Sequence, residues 1–212
     1  MNPMAPSSHS ATTALIIFAK APVAGLAKTR LIPALGREGA ASLAARLLDH
    51  TVGMGVAADF DHLEICATPD TSHHTFQRLA SLYPLVLTTQ GEGDLGARMH
   101  RALARALDGH DRVLLVGTDA PSLDAAVLRQ AAAALDTCDA VFVPALDGGY
   151  VLVGLTHAEP SLFSKMPWST PQVMQSTRLR ARASQLAWTE LAPVADIGEP
   201  ADLVHVPQGW LA

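Results

Sequence analysis

The sequence contains very little lysine. Lys20, Lys28 and Lys165 are the only lysines among its 212 residues, and the formal net charge is −5. Non-specific nucleic-acid binding needs an extended positive surface, which a chain of this composition lacks. We therefore expect no nucleic-acid partner.

Cysteine and long apolar runs are also scarce. Cys66 and Cys138 are too few for a disulfide framework and lie near apolar runs, which predicts two buried free thiols. No run reaches the roughly 18 apolar residues of a membrane span. Residues 1–13 have neither a positive start nor an apolar block, so they do not resemble a signal peptide. We expect a flexible leader over 1–13, a single domain over 14–212, no membrane insertion and a cytoplasmic location.

Apolar material is abundant, at 49% of residues, and it is patterned. Strand-like runs alternate with Ala/Leu/Arg-rich helical stretches in the first half, which predicts a parallel sheet covered by helices on both faces, an α/β/α sandwich. After 136 two strand-like runs follow each other directly, so the sheet should be mixed. The predicted strands are 14–19, 62–67, 84–88, 112–117, 140–145, 150–155 and 187–192; the predicted helices are 37–57, 72–82, 94–107, 124–135, a helix from Thr170 (N-cap) to about 185, and 200–205.

The loop after the first strand concentrates positive charge. Two of the three lysines, Lys20 and Lys28, lie there with Arg30 and Gly25. The spacing matches neither a P-loop nor a dinucleotide fingerprint. Arginine and lysine side chains bind phosphate, and the carboxyl end of a strand in an α/β sheet is where ligands bind. The loop is predicted to bind phosphate, although a solvated loop with surface ion pairs is an alternative.

Asp119 directly follows a buried strand, within Gly117–Pro121. A carboxylate in this position can hold a divalent cation through hard oxygen. The alternative is a simple turn before Pro121, with Ser122 capping the next helix.

Three further turns are ambiguous in the same way. Asp147-Gly148-Gly149-Tyr150 is a hairpin signal, and it would also suit an acceptor lying against the backbone. Asp94 is a candidate helix N-cap, and with Gly96 a candidate neighbour of a nucleotide. Trp168 and Ser169 precede the predicted helix at Thr170 and are candidates for the rim of an acceptor pocket.

Taken in order, these motifs resemble a family of transferases associated with radical-SAM and selenoprotein domains and similar to arsenosugar-biosynthesis glycosyltransferases. The resemblance spans about residues 14–206. It implies the GT-A fold of nucleotide-diphospho-sugar transferases, and the first loop is similar to that of 2-phospho-lactate guanylyltransferase. The resemblance implies that Lys20, Gly25, Lys28 and Arg30 contact nucleotide phosphates and that Asp119 is a metal ligand. It further implies that Asp147–Tyr150 face the second substrate.

One motif departs from the pattern of these relatives, which usually end in Asp-Ile-Asp-Thr-Pro-Glu-Asp-Leu. The second aspartate of that motif, a metal ligand in related nucleotidyltransferases, is Gly198 here. Asp196, two residues earlier, and Glu199 are the possible replacements.

The sequence therefore predicts a transferase that uses Mg²⁺ (or Mn²⁺) and a nucleotide, with Asp119, Lys28 and Arg30 as catalytic residues and Asp119 and Asp196 as metal ligands. Glycosyl transfer from a nucleotide-sugar to a small acceptor is the first hypothesis. Transfer of NMP from an NTP to a phosphorylated small molecule is the second, because three cations suit a triphosphate. A non-catalytic nucleotide-binding protein with a decayed metal site is the third.

Overall fold

Seven strands form one mixed sheet in the computed structural model, which describes residues 11–211. The order across the sheet is β3-β2-β1-β4-β6-β5-β7. β6 runs antiparallel to β4 and β5, whereas the other neighbouring strands are parallel. The strands are β1 (Thr13–Lys20), β2 (His62–Thr68), β3 (Val86–Thr89), β4 (Arg112–Gly117), β5 (Ala140–Pro144), β6 (Tyr150–Leu155) and β7 (Trp188–Glu190).

Within residues 11–211, five α-helices cover the two faces of this sheet. They are α1 (Ile32–Ala58), α2 (His74–Leu82), α3 (Leu95–Leu107), α4 (Ala125–Ala134) and α5 (Val173–Ala183). Successive strand residues point to opposite faces, so Leu15 of β1 packs in the core with α1, α2 and α4, while Ile16 packs in the core with α3 and α5. The predicted α/β/α sandwich with a mostly parallel mixed sheet is confirmed.

The helix predicted to have Thr170 as its N-cap starts two residues later: its N-cap is Gln172 and its first residue is Val173. Thr170 does not cap it: its hydroxyl donates to the carbonyl of Pro167 at 2.7 Å and closes a local turn. The segment is instead held against the β5–β6 turn, where Met174 N–H donates to the Gly148 carbonyl at 2.8 Å. A contact distant in sequence has therefore displaced the start of the helix.

Two smaller expectations also differ from the structure. The N-cap of α4 is Asp124, which accepts from the N–H of Val127 at 2.9 Å, and not Ser122. Cys66 is buried in β2, but Cys138 lies in the turn between α4 and β5 and is partly exposed. Both thiols are free, as predicted.

The predicted leader, residues 1–13, lies mostly outside the described residues. Its last two residues bond to the aspartates that precede β4 and β2: Thr12 N–H donates to the Asp111 carboxylate at 2.8 Å, and the N–H of Thr13, the first residue of β1, donates to the Asp61 carboxylate at 2.7 Å. The single domain over 14–212 stays a prediction. Over residues 11–211 no helix combines the length and the apolar character needed to cross a bilayer.

Candidate active site

A cavity of about 410 Å³ opens at the carboxyl ends of the central strands β1 and β4. β6 is antiparallel to β4, so its first residue, Tyr150, lies at the same edge. The cavity is therefore lined from three adjacent strands in the order β1, β4, β6. Ten of the predicted site residues line it: Lys20, Lys28, Arg30, Asp119, Asp147, Gly149, Tyr150, Trp168, Ser169 and Asp196.

Lys28 joins three parts of the chain at the centre of this cavity. Its ammonium lies 2.8 Å from Oδ1 of Asp119 and donates to the carbonyl of Ile197, and its side chain is only 10% exposed. Ile197 N–H in turn donates to the Asp119 carbonyl at 2.8 Å. The backbone of Lys28 is left-handed, with φ 47° and ψ 44°, a conformation uncommon outside glycine. The loop after β1 thus points the Lys28 side chain into the cavity, where it contacts Asp119 in the loop after β4.

Lys20 and Arg30 are differently placed. Arg30 pairs with Glu199 at 3.3 Å, and both side chains are about two-thirds exposed, so the pair contributes little to stability. Lys20, the last residue of β1, is exposed, and its side chain has no hydrogen bond or ion pair with any other described residue. Its charge is free for a ligand.

Asp196 is the aspartate of the cavity whose ionisation is perturbed by its surroundings. Burial raises the pKa of Asp196, and the negative charges of Asp147 and Asp119 raise it further. Asp119 and Asp196 line the same cavity, and the N–H of Ile197, next to Asp196, donates to the Asp119 carbonyl, so a divalent cation bound there could be held by both carboxylates. Residues 11–211 contain no group of three or more Asp, Glu, His or Cys side chains suited to a metal. Magnesium is usually bound by one or two carboxylates together with substrate phosphates, so two aspartates fit such an ion.

Gly198 leaves space beside Asp196. A Cβ atom added there would lie 3.7 Å from Oδ2 of Asp196 and 3.7 Å from Oδ2 of Asp202, which is ordinary contact. Asp202 is already engaged, since it accepts from the N–H of Gly198 at 3.0 Å and of Glu199 at 2.7 Å. Of the two possible replacements for the missing aspartate, Asp196 lines the cavity, whereas Glu199 pairs with Arg30 outside its lining.

The far wall is built by the β5–β6 turn and the segment before α5. Oδ1 of Asp147 accepts from the N–H of Gly149 at 2.8 Å, which fixes the predicted hairpin turn. Gly148 has φ 93°, and a Cβ there would lie 2.3 Å from the Pro171 carbonyl oxygen, so only glycine allows this approach. The rings of Tyr150 and Trp168 meet edge to face at 6.2 Å. Burial raises the pKa of the Tyr150 phenol well above its usual range, which keeps it neutral.

Four predicted residues do not line the cavity. Gly25 and Gly148 act through backbone conformation, with φ 81° and 93°. Asp94 caps α3 by accepting from Ala97 N–H at 2.8 Å. Gly96 packs so closely that a Cβ would lie 2.3 Å from the carbonyl oxygen of Phe163. The start of α3, predicted to lie beside the nucleotide through Asp94 and Gly96, instead lines the cavity with Leu95 and Met99.

The apolar residues that line the cavity were not predicted from the sequence. They come from β1, β4, β6 and the helices α3 and α5: Phe18, Leu95, Met99, Leu115, Val151 and Val173. Phe18 and Leu115 share a face of the sheet because the register pairs Leu115 with Ile16, two residues before Phe18, and sequence alternation alone does not fix this register. The turn of α3 that carries Leu95 and Met99 has the i, i+4 spacing of one helical face.

A family model described as "Uncharacterized protein conserved in bacteria (DUF2064)" matches residues 51–170. The chain is also 31% identical to a candidate nucleotide-diphospho-sugar transferase from Desulfovibrio desulfuricans G20, with a TM-score of 0.83. That match covers 92% of this chain and 85% of the other. No curated protein sequence matches the chain.

More distant structures share the fold. A nucleotidyl transferase from Methanothermobacter thermautotroptrophicus is 16% identical, with a TM-score of 0.63 over 94% of this chain and 98% of its own. Glucosyl-3-phosphoglycerate synthase from Mycobacterium tuberculosis, in complex with Mn²⁺, UDP and glucosyl-3-phosphoglycerate, is 11% identical, with a TM-score of 0.52 over 92% and 75%. These similarities confirm the GT-A type of fold.

Proposed function

We propose that this chain, which belongs to the DUF2064 family, is a transferase. In this proposal its donor is a nucleotide-sugar, and it moves the sugar to a small acceptor. The observation that carries the proposal is the cavity at the ends of β1, β4 and β6. Within it Lys20, Lys28 and Arg30 lie beside Asp119 and Asp196. The 31% identity to a candidate nucleotide-diphospho-sugar transferase supports the same donor class.

In this proposal the three cations bind the diphosphate of the donor. Lys20 is free to contact phosphate directly, and Arg30 needs only to leave an exposed ion pair. Lys28 is nearly buried and held between Asp119 and Ile197, so it acts as a preorganised charge. Positive charges fixed in a sheltered site stabilise the negative charge that develops on a leaving diphosphate.

The reaction would be a displacement at the anomeric carbon. A hydroxyl oxygen of the acceptor forms the new bond to that carbon, and the bond from the carbon to the diphosphate oxygen breaks. The nucleoside diphosphate leaves with the electron pair, and the hydroxyl proton passes to a carboxylate of the cavity or to water. Asp147, whose second carboxylate oxygen is not used by the turn, is placed to accept a hydrogen bond from the acceptor hydroxyl.

Asp119 and Asp196 would hold a divalent cation together with the donor phosphates. Such an ion supplies charge neutralisation of the diphosphate. Oxygen ligands of this kind suit Mg²⁺ and Mn²⁺ alike.

Nucleotidyl transfer is a second candidate, and a specific observation favours it. Three cations at one end of the cavity suit a triphosphate, and a nucleotidyl transferase has the same fold. In that reaction an acceptor phosphate would attack the α-phosphorus of an NTP and expel pyrophosphate.

A thermal-shift panel of NTPs and sugar nucleotides, each with and without Mg²⁺, tests the proposal. A ligand that binds only the folded state stabilises it by about 2.7 kcal/mol at a hundredfold excess over its dissociation constant. We expect a magnesium-dependent shift with one or more sugar nucleotides, followed by release of the nucleoside diphosphate when acceptors are supplied. A shift with NTPs only, with release of pyrophosphate, would favour nucleotidyl transfer. Binding without turnover in any mixture would indicate a protein that binds nucleotides without catalysis.

A further inference from the structure

We infer that the acceptor carries no phosphate or carboxylate group: it is a neutral or amine-bearing alcohol with an apolar portion. This inference rests on the proposed function and specifies the second substrate of the same cavity. It follows from how charge and apolar surface are distributed along the edge of the sheet.

All cations of the cavity come from one side. Lys20, Lys28 and Arg30 belong to β1 and the loop that follows it, and the described lining contains no other lysine, arginine or histidine. Arg180, the arginine that influences Tyr150, is already engaged, because it donates to the carbonyls of Ser161, Ser164 and Lys165. It holds the loop before α5 in place and is not free to bind an anion.

The acceptor side is acidic and apolar. β6 is two strands away from β1, with β4 between them, and neighbouring strands are about 4.8 Å apart, so the two sides are separated by about 10 Å. On the β6 side the cavity presents Asp147, the edge-to-face pair Tyr150 and Trp168, and the apolar Val173. Among the described residues that line this side, no cation could compensate the charge of an anionic acceptor next to Asp147.

The same distribution separates the two candidate reactions. Nucleotidyl transfer of the guanylyltransferase type needs a phosphorylated acceptor, which would have to lie beside Asp147 and Asp196. Phosphates bind where arginine and lysine converge, and in this cavity that place is taken by the donor. The charge distribution therefore favours an alcohol acceptor, and with it glycosyl transfer.

Four probes with one aromatic body test the inference: benzyl alcohol, benzylamine, benzoate and benzyl phosphate. Their dissociation constants are measured by ligand-observed NMR on the full chain. Saturating Mg²⁺ and inorganic pyrophosphate are present, so that the phosphate region is filled. We expect benzyl alcohol and benzylamine to bind at least about tenfold more tightly than benzoate and benzyl phosphate.

Asp147→Asn removes the charge at the acceptor side, and Asp108→Asn, at the exposed far end of α3, is the matched control. Asp147→Asn should reduce the preference for benzylamine over benzoate by at least about fivefold and change the affinity for benzyl alcohol less than about twofold. Asp108→Asn should change none of these values. If Asp147 only shaped the turn, Asp147→Asn would change the dissociation constants of all four probes by a similar factor.

Anionic probes that bind as tightly as the alcohol, or failure of all four to bind, would overturn the inference. Pyrophosphate binding is monitored in the same samples by the thermal shift it produces with Mg²⁺. If pyrophosphate binds and the probes contradict the expected order, only the acceptor class is wrong. If pyrophosphate and the nucleotides all fail to bind, the proposed function itself is refuted.

Discussion

The assignment of Asp196 as a metal ligand can be tested by exchanging its carboxylate with one at position 198. Asp196→Asn keeps the shape of the side chain and removes its charge. Gly198→Asp introduces the aspartate that the resemblance implies at this position, and the structure has room for it, because the added Cβ would lie 3.7 Å from Oδ2 of Asp196. Gly198 has no positive φ that would strain a larger residue.

The expected size of the effect follows from mass action. A nucleotide and Mg²⁺ at a hundredfold excess over the wild-type dissociation constant stabilise the protein by about 2.7 kcal/mol, which raises Tm by about 5–11 °C in a chain of this length. If Asp196→Asn weakens binding about a hundredfold, the stabilisation falls to about 0.4 kcal/mol and the shift to about 1–2 °C. The double variant Asp196→Asn/Gly198→Asp should recover most of the shift, whereas Gly198→Asp alone should change it little.

The ligand-free protein supplies an internal control. Burial and the charges of Asp147 and Asp119 raise the pKa of Asp196, so the folded state disfavours its charged form at neutral pH. Ligand-free Asp196→Asn should therefore unfold at the same or a slightly higher temperature than the wild type. A full nucleotide shift in Asp196→Asn, measured by differential scanning fluorimetry with Mg²⁺, would refute the assignment. A lower ligand-free Tm would show that Asp196 has a structural role instead.

Three other predictions follow from single side chains. Lys20→Ala should weaken Mg²⁺–pyrophosphate binding about tenfold in calorimetry and leave Tm unchanged, because Lys20 is exposed and unpaired among the described residues; an unchanged affinity would remove it from the phosphate site. Gly148→Ala should lower the free energy of unfolding by about 3 kcal/mol in a urea titration, since its Cβ would lie 2.3 Å from the Pro171 carbonyl at φ 93°; a stable variant would mean that the turn can shift. Glu64 is fully buried; burial by itself would raise its pKa, but hydrogen bonds and charge from Arg105 hold the pKa below the ordinary 4.5. The stability from that ion pair is present above pH 4.5 and is lost as pH falls through the lowered pKa. Because the Arg105 side chain left behind is nearly half exposed, Glu64→Gln should cost about 1–3 kcal/mol at pH 7 and flatten the acid limb of the stability profile.

The sequence was sufficient for the layers of the fold because hydrophobic periodicity is local. Continuous apolar runs in 14–19 and 112–117 mark strands buried on both faces, and the structure has β1 and β4 at Thr13–Lys20 and Arg112–Gly117. The mixed second half was also foreseeable, because only a short Asp-Gly turn separates 140–145 from 150–155. The start of α5 was not, because Thr170 and Pro171 have a local capping pattern that the contact with Gly148 overrides.

By itself, the sequence determined which chemical groups are available to the site: cations in the loop after β1, a carboxylate after β4, and a glycine at position 198. Such features depend on the identity of residues and on their place at strand ends. Only the tertiary structure decided how they meet. Strand order puts β4 between β1 and β6, Lys28 turns inward to Asp119, and Asp196, not Glu199, reaches the cavity. These are contacts between segments far apart in the chain, and no local pattern of residues encodes the distance across a sheet.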